Sequence, residues 1–254
     1  MRVLALNLRA GGSRKHLDRL LDGTLEHRPD VVVYSEFRAG AAGEVLRSGL
    51  RGAGLEHVAW SVAPADNGVL IASRAPFTTL HNPFGLEAEE YPGAVLRARF
   101  DAIDVFGVYL PGQDRKRPHL RSLIATAQRY NERGARALCI GDFNSGRNDS
   151  DIEINVRTGR MADQFGTADL YEHLERYWTE AWLWRHPGQI DYSWQPFRRD
   201  AGYVGRSGWR IDKAFVSAAL LTAVRSAEYD HSFRDLRLTD HSALVVDLDE
   251  SPPM

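Results

Sequence analysis

The sequence predicts an α/β fold of four layers, in which two packed mixed β-sheets are flanked by helices. Three observations lead to this prediction. Short apolar runs recur along the whole chain of 254 residues, amphipathic helices occupy only a few segments, and most apolar runs follow one another without a helix between them. Parallel neighbours need a crossover of about a dozen residues or more, so strands this closely spaced must include antiparallel pairs.

The buried strands are predicted from apolar runs that are bounded by turn residues. They cover residues 3–8, 31–34, 69–72, 94–100, 105–109, 137–140, 211–216 and 243–248. The order of the strands within the sheets does not follow from the sequence.

Two helices are predicted from apolar residues spaced three to four positions apart. The first covers residues 15–27, and its apolar face consists of Leu17, Leu20, Leu21 and Leu25. The second covers residues 118–132, with Pro118 in its first turn. Its apolar face consists of Leu120, Leu123, Ile124 and Ala127.

A single domain over residues 1–249, followed by a short flexible tail at 250–254, is the simplest organisation. No repeat, low-complexity tract or linker-like stretch divides the chain, and a hydrophobic content of 43% is enough for a sizeable core. The lone Cys139 lies in an apolar run, so we expect a buried thiol. Because the sequence shows neither a membrane-spanning apolar stretch nor a signal peptide, we expect a soluble, cytoplasmic protein.

The charge composition leaves a nucleic-acid partner open. The formal net charge is −2, and the only lysines are Lys15, Lys116 and Lys213, so nearly all positive charge is arginine. Arginine forks suit phosphate, but they suit surface ion pairs equally well.

Polar side chains that can bind phosphate or a metal ion stand at the ends and starts of the predicted strands. Those at or just after strand ends are Asn7, Glu36, Tyr109, Asp142 and Asn144, and those at strand starts are Asp212, Asp240 and His241. In a mixed sheet the start of a reversed strand lies beside the end of its neighbour, so all of these residues can converge on one rim.

Six motifs, taken in order, resemble the endonuclease/exonuclease/phosphatase superfamily. They are Leu6-Asn7-Leu8, Ser35-Glu36, Gly107-Val108-Tyr109-Leu110-Pro111, Gly141-Asp142-Phe143-Asn144, Gly208-Trp209-Arg210-Ile211-Asp212 and Thr239-Asp240-His241-Ser242. Tyr109 before a proline, and the run Tyr192-Ser193-Trp194, are similar to exonuclease III and the apurinic/apyrimidinic endonucleases. The resemblance spans residues 1–248 and implies a deoxyribonuclease I-like fold. Arg9 departs from it, because apurinic endonucleases commonly have Asp or Asn at that position.

The resemblance implies a metal-dependent phosphoesterase, and the residue types fit that chemistry. The sequence lacks clustered cysteines and a His-x-x-x-His pair, which argues for a hard cation bound through oxygen, Mg²⁺ or Mn²⁺. Glu36 is the best candidate ligand because a carboxylate that ends an apolar strand is costly to bury unpaired. Asn7 and Asp240 are the next candidates.

The same resemblance implies a catalytic role for each remaining residue. Asp142 resembles the general base that orients or deprotonates the attacking water, and Asn144 would hold that water or a phosphate oxygen. His241 would bind a nonbridging oxygen, with Asp212 fixing its tautomer. Tyr109 would stabilise the leaving oxygen.

Substrate contacts are predicted from two tryptophans and a set of loop cations. Trp194 and Trp209 could wall a slot for an extruded baseless sugar, although core packing explains them equally well. The loop cations that could contact duplex phosphates are Arg14, Lys15, Arg115, Lys116, Arg117, Arg206 and Arg210, for which a solvated face is the default reading. Trp178, Trp182 and Trp184 recur at helical spacings and favour core packing.

Three functional hypotheses follow. The first is a monomeric DNA repair nuclease that cuts duplex DNA beside abasic sites, with the balance of endonuclease and exonuclease action left open. The second keeps the chemistry and changes the substrate to RNA, a phosphorylated metabolite or a lipid headgroup, which the modest net charge and Arg9 motivate. The third is a noncatalytic nucleic-acid-binding protein. The presence of the complete set of catalytic residue types argues against it.

Overall fold

The computed structural model describes residues 1–61, 67–87, 92–155, 160–161, 165–197 and 208–249. In chain order, the strands in this part are β1 (Arg2–Asn7), β2 (Val31–Phe37), β3 (His57–Trp60), β4 (Gly68–Ser73), β5 (Thr78–His81), β6 (Val95–Arg99), β7 (Asp104–Tyr109), β8 (Ala137–Asp142), β9 (Ile154–Asn155), β10 (Arg160–Met161), β11 (Trp178–Glu180), β12 (Asp212–Ser217), β13 (Val224–Asp230) and β14 (Ala243–Leu248). The helices are α1 (Leu17–Glu26), α2 (Ala41–Gly52), α3 (Arg117–Glu132), α4 (Ala168–Leu174), α5 (Ala181–Arg185), α6 (Ala218–Leu221) and α7 (Ser232–Asp235). The expected tail at 250–254 lies outside the described residues.

Two six-stranded mixed sheets form the centre of the fold. The first has the order β13-β14-β1-β2-β4-β3 and the second the order β11-β12-β8-β7-β6-β5. Each contains one parallel pair near its middle, β1 with β2 and β7 with β8. The remaining neighbours are antiparallel. β9 and β10 form a separate two-stranded sheet.

Apolar side chains fill three interfaces between four layers. The inner faces of the two sheets pack on each other through residues such as Val33 and Ile140. On the outer face of the first sheet, Leu20 of α1 and Leu46 of α2 are fully buried, and on the outer face of the second sheet Leu123 of α3 is fully buried. The predicted four-layered sandwich is confirmed.

Two glycines allow close approaches on which this packing depends. A Cβ on Gly49 of α2 would lie 2.1 Å from Leu21 Cδ2 of α1, so a larger residue would require the Leu21 side chain to move. Gly141, with φ of 138°, lies directly before Asp142, and a Cβ there would lie 2.2 Å from the Val108 carbonyl oxygen. Glycine at this position lets β8 pass close to β7 where the candidate site begins.

Two sequence expectations are answered by this architecture, one for the lone cysteine and one for three tryptophans. Cys139 is a free, buried thiol. Trp178 and Trp182 are buried, whereas Trp184 is 40% exposed. Within the described ranges, none of the helices combines the length and the apolar character that crossing a membrane requires.

Candidate active site

The polar residues predicted at strand ends and starts lie where strands of both sheets meet. Tyr109 pairs with Asp142 across β7 and β8, and Asp142 pairs with Asp212 across β8 and β12. From the other sheet, Asn7 at the end of β1 donates Nδ2 to Asp142 Oδ2 at 2.8 Å and to Glu36 Oε1 at 3.2 Å. One amide group therefore joins carboxylates from the two sheets at a common rim.

Asp142 is buried and held in one orientation. Its Oδ1 accepts the backbone N–H of Asn144 at 2.8 Å, and its Oδ2 accepts Asn144 Nδ2 at 3.2 Å. Asn144 has a positive φ of 46°, and its Nδ2 also donates to the Leu110 carbonyl at 2.8 Å. Burial, followed by the charge of Asp212, raises the pKa of Asp142 to about 7, against the lowering effect of His241.

Glu36 lies on a β-bulge that turns its carboxylate toward the rim. The pairing of β2 with β4 shifts register between Ser35 and Phe37, and Glu36 has a φ of 53°. A left-handed conformation of this kind costs about 1–3 kcal/mol, and bulges commonly redirect a side chain in this way. The carboxylate Oε2 accepts Asn67 Nδ2 at 2.9 Å and the backbone N–H of Ala10 at 2.6 Å.

His241 and Asp212 form a buried pair. The distance from His241 Nδ1 to Asp212 Oδ2 is 2.8 Å. Burial alone would lower the pKa of His241, but the charge of Asp212 and its hydrogen bond outweigh burial and raise the pKa to about 9. The ring is therefore protonated near neutral pH, so both of its nitrogens donate. Asp212 is itself held by Ser193, whose Oγ accepts the Asp212 N–H at 3.0 Å, and by Tyr229, whose hydroxyl donates to the Asp212 carbonyl at 2.6 Å.

Tyr109 points its hydroxyl toward a residue that the sequence did not single out, Asn67. Nδ2 of Asn67 lies 3.5 Å from the Tyr109 hydroxyl oxygen, and Arg38 Nε donates to Asn67 Oδ1 at 2.7 Å. Burial and the charge of Glu36 raise the pKa of Tyr109 to about 12, so its phenol keeps its proton. Asn67 directly precedes β4. That placement beside an apolar strand was the signal that could have found it.

The acidic side chains of the rim fit a divalent cation. Glu36, Asp142 and His241 each bring one possible ligand atom to within 4.8 Å of the others. Glu36 and Asp142 bring carboxylate oxygens to this group, the ligand type that hard cations prefer. Asp240 Oδ1 lies buried without a hydrogen-bond partner among the described residues, so it too has an unused acceptor. Of the ligands predicted from sequence, Glu36 lies in the central group, and Asn7 contacts that group through its amide.

Lys116, one of the loop cations that could contact duplex phosphates and for which a solvated face is the default reading, is buried instead. Only 3% of it is exposed, and its Nζ donates to the backbone carbonyl of Asn144. Burial lowers its pKa to about 8, although the charge of Asp142 raises it. Lys116 therefore supports the turn that carries Asn144 and does not reach a substrate across the surface.

Arg210 also differs from its predicted role as a substrate contact. It is 1% exposed, and its guanidinium pairs with Asp151 and Glu180. Lys213 joins the same group, with Nζ 2.7 Å from Asp151 Oδ2 and 3.4 Å from Glu180 Oε2. These two cations and two carboxylates form a buried ion network with no net charge. Its two cations, Arg210 and Lys213, flank Asp212 in the sequence. The prediction for Arg210 is wrong because its partner carboxylates come from distant parts of the chain, so the local sequence does not show that they neutralise it in the core.

Trp194 and Trp209 pack on each other beside the rim. Their ring centroids are 5.1 Å apart, and Trp209 also contacts Phe165 at 5.7 Å. Trp194 forms backbone bridges with both Trp209 and His241. Both indoles are half-buried, so the structure brings the pair next to His241 while using part of each ring for packing.

Of the remaining loop cations, those that the structure describes are Arg14, Lys15, Arg115 and Arg117. Arg14, Lys15 and Arg115 are exposed. The charge of Arg115 acts to lower the pKa of Tyr109, against the larger effects that raise it. Arg117 pairs with Asp114, with 3.0 Å between Nε and Oδ1. Arg206 lies outside the described residues.

The fold and the clustered carboxylates define a class, the metal-dependent hydrolases of phosphoester bonds. The chain belongs to the Endonuclease/Exonuclease/phosphatase family, whose model matches residues 3–241. Members of this family depend on divalent metal ions. A comparison with curated proteins finds no match.

Solved structures share the complete fold at low sequence identity. An AP endonuclease from Archaeoglobus fulgidus is 19% identical, with a TM-score of 0.80, and the match covers 98% of this chain and 99% of that one. The 3′-5′ exonuclease NExo from Neisseria meningitidis is 21% identical, with a TM-score of 0.80 and coverage of 98% and 100%. A structure of the 3′ phosphatase NExo from Neisseria bound to product DNA hairpin is 21% identical, with a TM-score of 0.77 and coverage of 98% and 99%.

Proposed function

We propose that this protein is a Mg²⁺- or Mn²⁺-dependent nuclease that hydrolyses phosphodiester bonds of DNA in DNA repair, in the cytoplasm. The observation that carries the proposal is the carboxylate of Asp142, fixed between Asn7 and Asn144 and grouped with Glu36 and His241 inside 4.8 Å. A general base, a cation site and a phosphate-binding imidazolium are the groups that in-line attack of water on phosphorus requires.

Asp142 is suited to orient the attacking water. A carboxylate has about four acceptor positions, and the hydrogen bonds from Asn7 and Asn144 occupy three of them. The fourth position can accept a hydrogen bond from water and then its proton. Because both partners are fixed by the ends of β1 and β8, the base does not need to reorganise during the reaction.

His241 and Tyr109 supply donors on either side of the phosphorus atom. Asp212 occupies Nδ1 of His241, so Nε2 is the nitrogen that donates to a nonbridging oxygen, and the ring charge favours a phosphoryl group that gains negative charge. The protonated phenol of Tyr109 donates to the departing oxygen. A divalent ion held by Glu36 would neutralise charge on the phosphoryl oxygens, and the open position of Asp142 would stay with the attacking water.

The choice of DNA is supported by the proteins with the same fold. One is an AP endonuclease, one is a 3′-5′ exonuclease, and one was solved with a product DNA hairpin. The indole pair of Trp194 and Trp209 beside His241 adds a surface on which a base or a baseless sugar can stack.

The test is a Mg²⁺-dependent cleavage screen over abasic duplex, blunt duplex, single-stranded DNA, RNA and simple phosphomonoesters. We expect cleavage of abasic or blunt duplex, its loss in EDTA and its recovery with Mg²⁺ or Mn²⁺. Asp142→Asn keeps the shape of the side chain and removes the base, so the rate should fall by about 10²–10⁴-fold. Arg225→Gln, an exposed arginine paired with Asp249, is the matched control.

Two outcomes would contradict the proposal. Faster turnover of RNA or of phosphomonoesters than of any DNA would keep the chemistry and replace the substrate. Tight DNA binding without turnover under any divalent ion would instead indicate a noncatalytic binding protein.

A further inference from the structure

Arg9 is fixed at the rim by the side chains of the site itself. Its backbone N–H donates to Asn7 Oδ1 at 2.8 Å, and the next N–H, of Ala10, donates to Glu36 Oε2 at 2.6 Å. Arg9 and Ala10 both have positive φ, 53° and 58°, a conformation that L-residues other than glycine adopt only at a cost in free energy. The position from which the Arg9 side chain leaves the backbone is therefore set by the same residues that form the cation site.

The Arg9 guanidinium is held on two sides. Its central carbon lies 4.5 Å from the centroid of the Phe197 ring, and its Nε lies 3.4 Å from Asp240 Oδ2. Stacking on an aromatic ring and pairing with a carboxylate leave the edge of the guanidinium that carries the terminal nitrogens available. Across the described part of the chain, neither terminal nitrogen of Arg9 donates a hydrogen bond. The Arg9 side chain is thus oriented before a substrate binds, and its terminal nitrogens still have hydrogen-bond donors to offer.

Arg9 faces solvent next to the cleavage position. Its side chain is 54% exposed, whereas that of Asp240 is 14% exposed, and Asp142 and His241 are almost completely buried. Asp240 directly precedes His241 in sequence but does not belong to the group formed by Glu36, Asp142 and His241. The Asp240 side chain therefore lies between the Arg9 guanidinium and that group, and the guanidinium lies on the solvent side. When a phosphate binds at the group of Glu36, Asp142 and His241, Arg9 is free to bind a neighbouring anion.

We propose that Arg9 is a specificity-determining residue that binds a second phosphate of the substrate, adjacent to the one that is cleaved. This proposal rests on the proposed nuclease function and names its substrate class. The class is a strand with successive phosphates, in preference to an ester with a single phosphate. The terminal nitrogens of Arg9 match the oxygens of a phosphodiester as a fork, and the Asp240 contact is exchanged for the phosphate.

The experiment compares two substrates in four proteins. The substrates are a fluorescein-labelled abasic duplex and bis(4-nitrophenyl) phosphate, a diester with one phosphate group. The proteins are the wild type, Arg9→Gln, Arg9→Lys and the control Arg225→Gln. We measure kcat/KM on both substrates with Mg²⁺. We also measure the Kd for the duplex in EDTA, between about 50 and 200 mM salt, by fluorescence anisotropy.

Arg9→Gln should lower the preference for duplex over the small ester, expressed as the ratio of the kcat/KM values, by about tenfold. The slope of log Kd against log salt should fall by about 0.9, the value for one phosphate contact on a duplex. Arg9→Lys keeps the charge and loses the fork, so its salt slope should stay near that of the wild type while its Kd rises. Arg225→Gln should change neither the ratio nor the slope.

Two results would overturn the inference. If Arg9→Gln keeps the wild-type ratio and salt slope, Arg9 does not bind a second phosphate. If it lowers the turnover of both substrates equally, Arg9 acts on the reacting phosphate or on the fold, and thermal unfolding separates these two cases. Failure of the nuclease function gives a different result, because the wild type would then hydrolyse the small ester and cleave no polynucleotide.

Discussion

Replacing Arg210 by methionine tests the buried ion network. Methionine is unbranched and fills irregular space in a core, so Arg210→Met removes the charge while keeping much of the packing. The substitution leaves Asp151 and Glu180 with Lys213 as their remaining cation, because Arg210 and Lys213 are the two cations of the network. One uncompensated negative charge therefore stays in the core.

The size of the effect follows from burial. The side chains of Asp151, Glu180 and Lys213 are at most 1% exposed, so solvent does not screen the unpaired charge. Breaking a buried pair by removing one partner costs about 3–5 kcal/mol. For a chain of this size, a loss of that order corresponds to a fall in Tm of roughly 6–20 °C. The double variant Arg210→Met with Asp151→Asn restores the charge balance and should recover part of the loss.

The assay is urea unfolding followed by circular dichroism, together with thermal unfolding, for the wild type, both variants and Arg225→Met. The Arg225 side chain is 70% exposed, so its substitution should change the free energy of unfolding by less than about 0.5 kcal/mol. A loss below about 1 kcal/mol in Arg210→Met would refute the reasoning, because it would mean that the network is not the buried, mutually neutralising group described above.

Three further predictions concern the structure around the rim. Ser193→Ala removes the acceptor of two backbone N–H groups at the start of β12 and should lower the free energy of unfolding by about 1–3 kcal/mol in urea; an unchanged value would contradict this assignment. The hydrogen bond with His27 lowers the pKa of Asp230 to about 2. Since the pKa in the folded state lies below that in the unfolded state, this stabilisation is present above about pH 4 and is lost as the pH falls toward 2. The difference in the free energy of unfolding between wild type and Asp230→Asn should therefore shrink over that interval, and a constant difference would count against the pair. Mg²⁺ at about 100 times its Kd should stabilise the wild type by about 2.7 kcal/mol, and Glu36→Gln should show little of this shift in thermal unfolding; an equal shift in both proteins would place the ion elsewhere.

The fold follows from the sequence wherever a strand is buried on both faces. β1, β4 and β8 are continuous apolar runs, which makes them visible in the sequence. The edge strand β5 is exposed along its whole length, and the edge strand β3 is half-buried and only four residues long, so neither gives a long apolar run. Helix α2 was missed because its glycines argue against a helix. Gly49 lies against Leu21 of α1, and Leu46 and Leu50 of α2 are buried, and these are tertiary contacts that local propensity does not contain.

The candidate site can be predicted from the sequence where its residues stand at the ends or starts of strands. Asn7, Asp142 and Asp212 stand at the limits of apolar runs, a placement from which a mixed sheet can bring them to one rim. Arg210 stands in the same motif as Asp212, and the sequence cannot show that carboxylates 59 and 30 residues away meet it in the core. The burial of Lys116 does not follow from the sequence for the same reason, because its partner is a backbone carbonyl 28 residues distant.

The most direct measurement of the central claim is an anomalous difference map from crystals soaked in Mn²⁺. We predict a peak at the rim within about 2.0–2.5 Å of a carboxylate oxygen of Glu36, the range that hard cations adopt with oxygen ligands. A strong peak away from Glu36, or density at the surface alone, would contradict the claim that these strand ends assemble a cation site for phosphoester hydrolysis.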